Sequence, residues 1–243
     1  MRSLAAAAQF LTCLPLAGVQ TSVGDRARAA SWFGAVGLLL GLTLCGAEFL
    51  LRPVFPLLPR LVVLLVLNAL FTGGLHLDGL ADSFDSLGAG SDRAKALAIM
   101  RDSRIGTFGV LALLGVFALQ FSFLAALPAA ALSRALLLAP AWGRASLVLS
   151  AALSSSARPD GLGAAMIASV RPVTVFWALV PAALATGFVG GRPGLASALA
   201  ALLLAVLAAR FWRTRLGGQT GDTLGCLNQL VETATFGLFL VVR

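Results

Sequence analysis

The sequence predicts an all-α, polytopic integral membrane protein, and three observations support this. Apolar residues make up 59% of the 243 residues, and charged residues only 12%, whereas soluble domains average about 25% charged. Apolar stretches long enough to cross a bilayer recur along the whole chain, several of them bounded by Pro or Gly. The length allows about six to eight spans. We therefore expect residues 1–243 to form one membrane domain with no separate soluble domain.

Eight apolar stretches are candidates for membrane-spanning helices. The first, sixth and seventh are short enough to lie tilted or at the interface. The first also resembles a signal peptide, but it contains Gln9 and Pro15. We interpret it as a span or an interfacial helix. The approximate bounds of the eight stretches are 3–19, 29–51, 54–75, 105–127, 129–153, 173–190, 193–211 and 223–242.

Basic residues distinguish the two sides of the predicted bundle. The net charge of +8 is spread along the chain without a basic block, which argues against nucleic-acid binding. The loops after stretches one, three, five and seven hold most of the basic residues, so the positive-inside rule predicts that these loops face the cytoplasm. They are Arg26, Arg28, Arg93, Lys95, Arg101, Arg104, Arg158, Arg171, Arg210, Arg213 and Arg215. The opposite set, including both termini, is Arg2, Arg52, Arg60, Arg134, Arg192 and Arg243.

Segment 73–85, Gly-Gly-Leu-His-Leu-Asp-Gly-Leu-Ala-Asp-Ser-Phe-Asp, is the strongest candidate for a reactive site. On a helix, Asp78, Asp82 and Asp85 would share one stripe. Aligned carboxylates repel one another unless a cation lies among them, and Mg²⁺ prefers carboxylate oxygens, water and substrate phosphates. A solvated helix face is the alternative, but five of the ten acidic residues fall within 78–102, beside a bilayer. The segment therefore predicts a magnesium site.

His76 is the only histidine in the chain. On a continuous helix it would point away from the aspartate stripe, because it lies two residues before Asp78. A role as a catalytic base therefore competes with a capping or packing role.

Two further motifs suggest phosphate binding. In segment 99–109, Arg101 and Arg104 share a face and suit bidentate phosphate binding, although they would also serve as topology anchors. Gly106 and Gly109 open the following helix and would offer backbone N–H groups to an anion.

The Gly-rich segment 216–225 opens the last span. Its Gly218, Gln219 and Thr220 are candidates for phosphate contact, but a turn with Thr220 or Asp222 as N-cap is the structural alternative. The segment lacks the spacing and lysine of a P-loop. Asp222 would supply a remote carboxylate for the metal site.

Two other sites are ambiguous from the sequence. Arg144 lies inside an apolar run and needs a partner, either a buried carboxylate or a bound phosphate. Arg158 and Asp160 belong to a Pro-Asp-Gly segment that indicates a surface turn first and a substrate-facing role second.

Carboxylates for a metal, Arg for phosphate and a lipid-embedded scaffold together favour metal-assisted phosphoryl transfer. The motifs at 73–82, 100–107 and 216–225, with Phe-Leu-Thr-Cys-Leu-Pro-Leu at 10–16, resemble the cobalamin synthase (adenosylcobinamide-GDP ribazoletransferase) family along the whole chain.

The resemblance implies a multi-pass enzyme of the bacterial cytoplasmic membrane with a cytoplasmic site. Its substrates would be adenosylcobinamide-GDP and α-ribazole or α-ribazole 5′-phosphate, with Mg²⁺ as cofactor and release of GMP. Arg101 and Arg104 would hold the diphosphate, and Asp82, Asp78 or, with less support, His76 would be catalytic. The metal ligands would be Asp78, Asp82, Asp85, Asp102 and Asp222. A homo-oligomer, or association with other late enzymes of vitamin B12 synthesis, is a further expectation.

Two alternatives remain at this point. One is another aspartate-rich membrane transferase, such as a CDP-alcohol phosphotransferase or a prenyltransferase, but the motif patterns of those families are absent. The other is a cation-coupled transporter, whose acidic residues would line a pathway. No inverted repeat is visible in the sequence, which argues against the transporter.

Overall fold

The computed structural model describes residues 2–14 and 20–242, and α-helices form nearly all of this part of the chain. Its only β-type pairing there is an isolated bridge between Ser156 and Gln219. The helices are α1 Arg2–Leu11, α2 Val23–Ala27, α3 Phe33–Leu51, α4 Leu57–Phe71, α5 Leu75–Leu87, α6 Arg93–Ile99, α7 Thr107–Ala126, α8 Ala129–Ala152, α9 Leu162–Ser169, α10 Pro172–Ala185, α11 Gly191–Leu216 and α12 Gly221–Val241. The prediction of an all-α fold is confirmed.

Helix α8 forms the centre of the bundle. In its most apolar stretch 83% of the residues are buried, which is a larger fraction than in any other candidate span. Helices α3, α10, α11 and α12 pack around it. Most of its buried side chains are small, and alanine is the commonest of them. Small side chains let neighbouring helix backbones approach closely, which is a main source of packing energy inside a bilayer.

Several helices are long and apolar enough to cross a membrane. Five segments meet this condition in the described part of the chain, and the α4–α5 pair adds a sixth if it is counted as one broken span. The five are Ala29–Leu51, Thr107–Ala126, Ala129–Ala152, Pro172–Leu216 and Gly221–Val241. The polytopic architecture is therefore confirmed.

The segment Pro172–Leu216 folds back on itself along α8. In its first leg, Thr186 accepts a hydrogen bond from the Trp142 indole at 2.9 Å. Gly191 then reverses the chain with φ 58° and ψ −156°, which is favourable only for glycine. In the second leg, Ser150 donates to the carbonyl of Ala205 at 2.9 Å. The segment is thus two antiparallel helices, as the separate sequence stretches predict.

The N-terminal stretch is not a span in the part that the structure describes. Helix α1 has ten residues, about half the length that a bilayer requires. It lies at the end of the bundle where α3 begins, since the Trp32 indole donates to Ser3 Oγ at 3.1 Å. The short helix favours the interfacial helix of the two predicted alternatives; residues 15–19 lie outside the described residues.

The position of α1 corrects the predicted location of Arg2. The charge analysis placed Arg2 on the side opposite the predicted cytoplasmic loops, because it treated stretch 3–19 as a span. Arg2 begins α1 and therefore lies at the same end as those loops.

One end of the bundle carries α1, α2, α5, α6 and α9 in addition to the span ends. The turn between α4 and α5 makes this possible. Gly73 and Gly74 have φ of 60° and 72°, and α5 leaves the direction of α4 by 88°. Positive φ is accessible to glycine at no steric cost, so these two residues allow the turn.

Candidate active site

Helix α5 crosses the N-terminal end of α12 at a very close approach. Gly79 makes this contact: a Cβ at this position would lie 2.6 Å from the Asp222 carbonyl oxygen and 3.0 Å from its Cα. The approach brings the α5 aspartates beside Asp222, which lies in the first turn of α12. Two segments more than 130 residues apart in the sequence thereby meet at one site.

The larger cavity of the site has a volume of about 980 Å³ and opens between α1, α5 and the loop after α6. Asp78, Asp82 and Asp222 line it together with Arg101 and Arg104. The structure therefore brings together the charged residues of all three sequence motifs. Opposite charges in one cleft suit a substrate that carries phosphate groups, because carboxylates recruit cations and guanidinium groups bind phosphate.

The carboxylates of Asp78 and Asp82 have no hydrogen bond or ion pair with any described residue. The Asp82 carboxylate lies close enough to those of Asp78 and Asp222 to be repelled by both. Asp222 is paired with Arg158 at 3.0 Å. Two carboxylates without partners, held side by side, form an arrangement that a divalent cation would stabilise.

The fit to Mg²⁺ depends on substrate oxygens. Among the described residues, no three His, Cys, Asp or Glu side chains converge closely enough to hold a metal ion by themselves. Mg²⁺ usually takes one or two carboxylates, retains several waters and shares substrate phosphates. Asp78 and Asp82 fit that pattern, so the donor set is compatible with Mg²⁺, and the predicted five-ligand set stays a prediction.

Asp85 binds the start of α7 rather than the cavity. Its carboxylate accepts hydrogen bonds from the backbone N–H groups of Gly106 at 2.7 Å and Gly109 at 2.8 Å. These glycines were predicted to offer N–H groups to an anion, and in the structure that anion is the Asp85 carboxylate. Asp85 does not line either of the two cavities of the site, which gives it a structural role as the cap of α7.

The loop after α6 presents both arginines of the second motif. Arg101 pairs with Asp160 at 2.9 Å, and Arg104 pairs with Asp102 at 2.7 Å. Hydrogen bonds from Arg104 lower the pKa of Asp102 to about 2, so Asp102 is ionised and its charge is matched by one neighbour. Arg104 is 87% exposed and can exchange this partner for a substrate phosphate at small cost.

Gly218 and Gln219 of the third motif are packed inside the protein. Gln219 is fully buried, and its amide donates to the carbonyl and hydroxyl oxygens of Ser150, each at 2.8 Å. A Cβ at Gly218 would lie 2.8 Å from the backbone nitrogen of Ala157. Both residues join loop 153–161 to the segment that precedes α12, and they line neither cavity. Their predicted phosphate contact has no support from their positions.

Thr220 is the N-cap of α12, since its hydroxyl accepts from the Thr223 N–H at 3.2 Å. This is the structural alternative that the sequence offered. Thr220 also lines a smaller cavity of about 340 Å³, so its predicted substrate contact stays a prediction.

The smaller cavity lies on the other side of Asp78 and Asp222, which line both cavities. His76, Arg158 and Asp160 also line it. The Pro-Asp-Gly sequence favoured a surface turn at Arg158 and Asp160 over a role in the site. The spacing of Arg158 and Asp160 gave no signal of their pairing with Asp222 and Arg101, because both contacts depend on the fold.

Arg144 lies fully buried in α8 and lines neither cavity. It forms an ion pair with the fully buried Glu232 of α12, which also accepts hydrogen bonds from Asn228 at 2.8 Å and Asn68 at 3.0 Å. Of the two predicted partners, a buried carboxylate and a bound phosphate, the structure contains the carboxylate. A phosphate bound in either cavity would not touch Arg144, so its position does not support the predicted phosphate contact.

His76 is connected to this network, as one guanidinium nitrogen of Arg144 lies 3.4 Å from its Nδ1. An arginine can only donate, so Nδ1 accepts and a neutral His76 carries its proton on Nε2. His76 in this tautomer is a hydrogen-bond donor toward its surroundings.

Comparison with known proteins identifies the family. The model of the cobalamin-5-phosphate synthase family matches residues 3–240. The chain belongs to this family. An adenosylcobinamide-GDP ribazoletransferase of Pseudomonas paraeruginosa is 42% identical, with 96% of each chain covered. That of Stutzerimonas stutzeri is 40% identical, covering 100% of this chain and 99% of the relative. That of Caldanaerobacter subterraneus subsp. tengcongensis is 36% identical with the same coverage.

No solved structure matches the chain. The predicted resemblance to the cobalamin synthase family is confirmed by the family match over nearly the full length. This favours the ribazoletransferase interpretation over both the CDP-alcohol phosphotransferase and the transporter.

Proposed function

We propose that this protein transfers the adenosylcobinamide phosphate group from adenosylcobinamide-GDP to α-ribazole or its 5′-phosphate, with release of GMP. This is the step that joins the nucleotide loop of vitamin B12. Family membership and the names of the relatives support the activity. The structural observation that carries the proposal is the larger cavity, where Asp78 and Asp82 lie without partners beside Arg101 and Arg104.

The reaction is an attack by the ribose 3′-hydroxyl of the acceptor on the phosphorus attached to adenosylcobinamide. A P–O bond to the acceptor forms, the diphosphate P–O bond breaks, and GMP leaves with the electron pair. Positioning and charge stabilisation contribute most of the rate enhancement in phosphoryl transfer. Arg101 and Arg104 would bind the diphosphate and offset the charge that develops on GMP.

Asp78 and Asp82 would hold Mg²⁺ together with substrate oxygens, while Asp222 lines the same cavity in an ion pair with Arg158. The ion would neutralise charge on the diphosphate. Asp78 is also the best-placed proton acceptor, because it borders both cavities and, unlike Asp222, its carboxylate is not paired with an arginine. His76 is a weaker candidate, since its Nδ1 faces Arg144 and its Nε2 already carries the proton.

We propose that the site faces the cytoplasm across a bacterial inner membrane. The end of the bundle that carries the cavities also carries most of the basic residues, now including Arg2, which supports this orientation through the positive-inside rule. Association with a second copy or with other late enzymes of the pathway stays an expectation.

The direct test is the release of GMP from adenosylcobinamide-GDP by the purified, detergent-solubilised protein. Reactions with and without α-ribazole 5′-phosphate, each with Mg²⁺ or EDTA, separate the requirements. We expect release only when acceptor and Mg²⁺ are both present. Release without acceptor would indicate a hydrolase, and full activity in EDTA would remove the metal assignment.

A further inference from the structure

The smaller cavity differs from the larger one in size and lining. Its volume of about 340 Å³ is near the lower end of small-ligand pockets, roughly 300–1,000 Å³. It suits a nucleoside or nucleotide but not a corrinoid carrying GDP. The larger cavity, at about 980 Å³ and more open, is the one that suits the donor.

The wall between the two cavities is the site of the proposed reaction. Asp78 and Asp222 line both cavities, whereas Asp82, Arg101 and Arg104 line only the larger one. A nucleoside hydroxyl that reaches this wall from the smaller cavity would meet a phosphate held in the larger cavity. The division separates acceptor from leaving group, as an in-line displacement requires.

One wall of the smaller cavity is apolar and aromatic. Phe10 of α1 and Phe33 of α3 stack with ring centroids 5.5 Å apart, and Leu147, Met166 and Leu224 continue this surface. A flat, uncharged heteroaromatic base would be desolvated favourably against such a wall.

Arg158 also lines the smaller cavity, and its guanidinium group is only partly paired. Nη1 of Arg158 pairs with Asp222 at 3.0 Å, but Nε and Nη2 are buried without a hydrogen-bond partner among the described residues. A buried guanidinium N–H without a partner is costly. Two free donors on one planar group match the oxygens of a phosphate.

We propose that the smaller cavity is the acceptor subsite and that Arg158 is the residue that recognises the acceptor's 5′-phosphate. The aromatic base lies against Phe10 and Phe33, the phosphate lies on Arg158, and the ribose 3′-hydroxyl lies at Asp78. The inference rests on the proposed function and adds a preference for the phosphorylated acceptor, with a residue that confers it.

The test compares two acceptors in one variant. Arg158→Gln removes the free donors, so kcat/KM for α-ribazole 5′-phosphate relative to α-ribazole should fall by about 10-fold or more, the scale of a charged hydrogen bond. KM for adenosylcobinamide-GDP should stay within about twofold. Arg213→Gln, which removes an exposed arginine at the same end of the bundle, is the control and should leave the ratio unchanged.

An equal loss with both acceptors would overturn the assignment, because it would mean that Arg158 acts only by holding Asp222. If Arg158→Gln does not turn over, equilibrium binding of the two acceptors to the solubilised protein without donor gives the same ratio.

Met166→Trp tests the cavity itself, since a larger side chain would fill the smaller cavity. We expect it to raise KM for both acceptors and to leave KM for the donor unchanged. A rise for the donor alone would reverse the two subsites. In all these experiments, GMP release by the wild-type protein tests the transferase activity separately.

Discussion

Three aspartates one turn apart on α5 have different surroundings, and the difference predicts different consequences of mutation. Asp78 and Asp82 face the larger cavity without partners, whereas the carboxylate of Asp85 is occupied by two backbone N–H groups of α7. Charge without a partner indicates a functional residue. Charge with two backbone donors indicates a structural one.

Asp82→Asn should abolish turnover while the protein folds and inserts normally. The change removes the charge at the centre of the acidic group, so kcat should fall by about 100-fold or more, the scale of losing one electrostatic contact to reacting groups. GMP release measures this. Asp92→Asn is the control, because Asp92 caps α6 outside the cavities and Asn caps equally well. Near-normal kcat in Asp82→Asn would contradict the assignment.

Asp85 should respond to substitution through stability. Asp85→Ala leaves two N–H groups of α7 without an acceptor and should lower the free energy of unfolding by about 2 kcal/mol. Asp85→Asn keeps an acceptor for only one of the two N–H groups, because they bind different carboxylate oxygens. It should therefore cost less stability than Asp85→Ala and retain the activity. Thermal unfolding in detergent and GMP release measure the two effects. Loss of activity in a stable Asp85→Asn protein would instead support the predicted metal ligand.

At the scale of single residues, the sequence identified the aspartate stripe and the arginines that line the larger cavity. Their residue types and helical spacing are local properties. The two glycines that donate to Asp85 lie 21 and 24 residues further along the chain. The carboxylate that pairs with Arg158 lies 64 residues away. Such contacts exist only after the helices pack, so spacing did not predict them.

Among the helices, the crossing of α5 and α12 is the one that assembles the site. Both helices contribute carboxylates to the larger cavity, and Gly79 sets their separation. The hydropathy pattern predicted where the spans lie, since apolar runs are local. It did not show that α1 is short or that α5 turns away from α4. The position of α1 depends on how this ten-residue helix packs against the rest of the bundle. The direction of α5 depends on two glycines with positive φ.

Gly79→Ala should separate α5 from α12, because the new Cβ would lie 2.6 Å from the Asp222 carbonyl oxygen. We expect a loss of about 1–3 kcal/mol in stability and a larger fractional loss of GMP release than of folded protein. Gly115→Ala is the matched control, since no atom of the packed structure lies within 4 Å of that Cβ. Equal effects of the two substitutions would argue that the crossing does not position the carboxylates.

For the molecule as a whole, the distribution of charge defines two ends. All eight aspartates lie at or beside the end that carries the cavities, and the two glutamates, Glu48 and Glu232, lie in spans. An enzyme acting on soluble phosphorylated substrates needs such an end on the side where those substrates occur.

The orientation can be measured with single cysteines in a background in which Cys13, Cys45 and Cys226 are all replaced by alanine. Val54→Cys lies in the turn between α3 and α4, and Ser91→Cys lies between α5 and α6. In spheroplasts, an impermeant maleimide should label Val54→Cys directly but Ser91→Cys only after lysis. The reverse pattern would place the active site outside the cytoplasm.

The pairing of Arg144 with Glu232 also bears on biosynthesis. The two residues are 88 positions apart, and Glu232 belongs to the last helix. An arginine at the centre of a bilayer costs roughly 2.5–3.5 kcal/mol on the insertion scale, and this cost stays uncompensated until α12 leaves the ribosome. A chain that stops before α12 therefore lacks the carboxylate that pairs with the arginine of its central helix, and we expect it to be less stable in the membrane than the full-length protein.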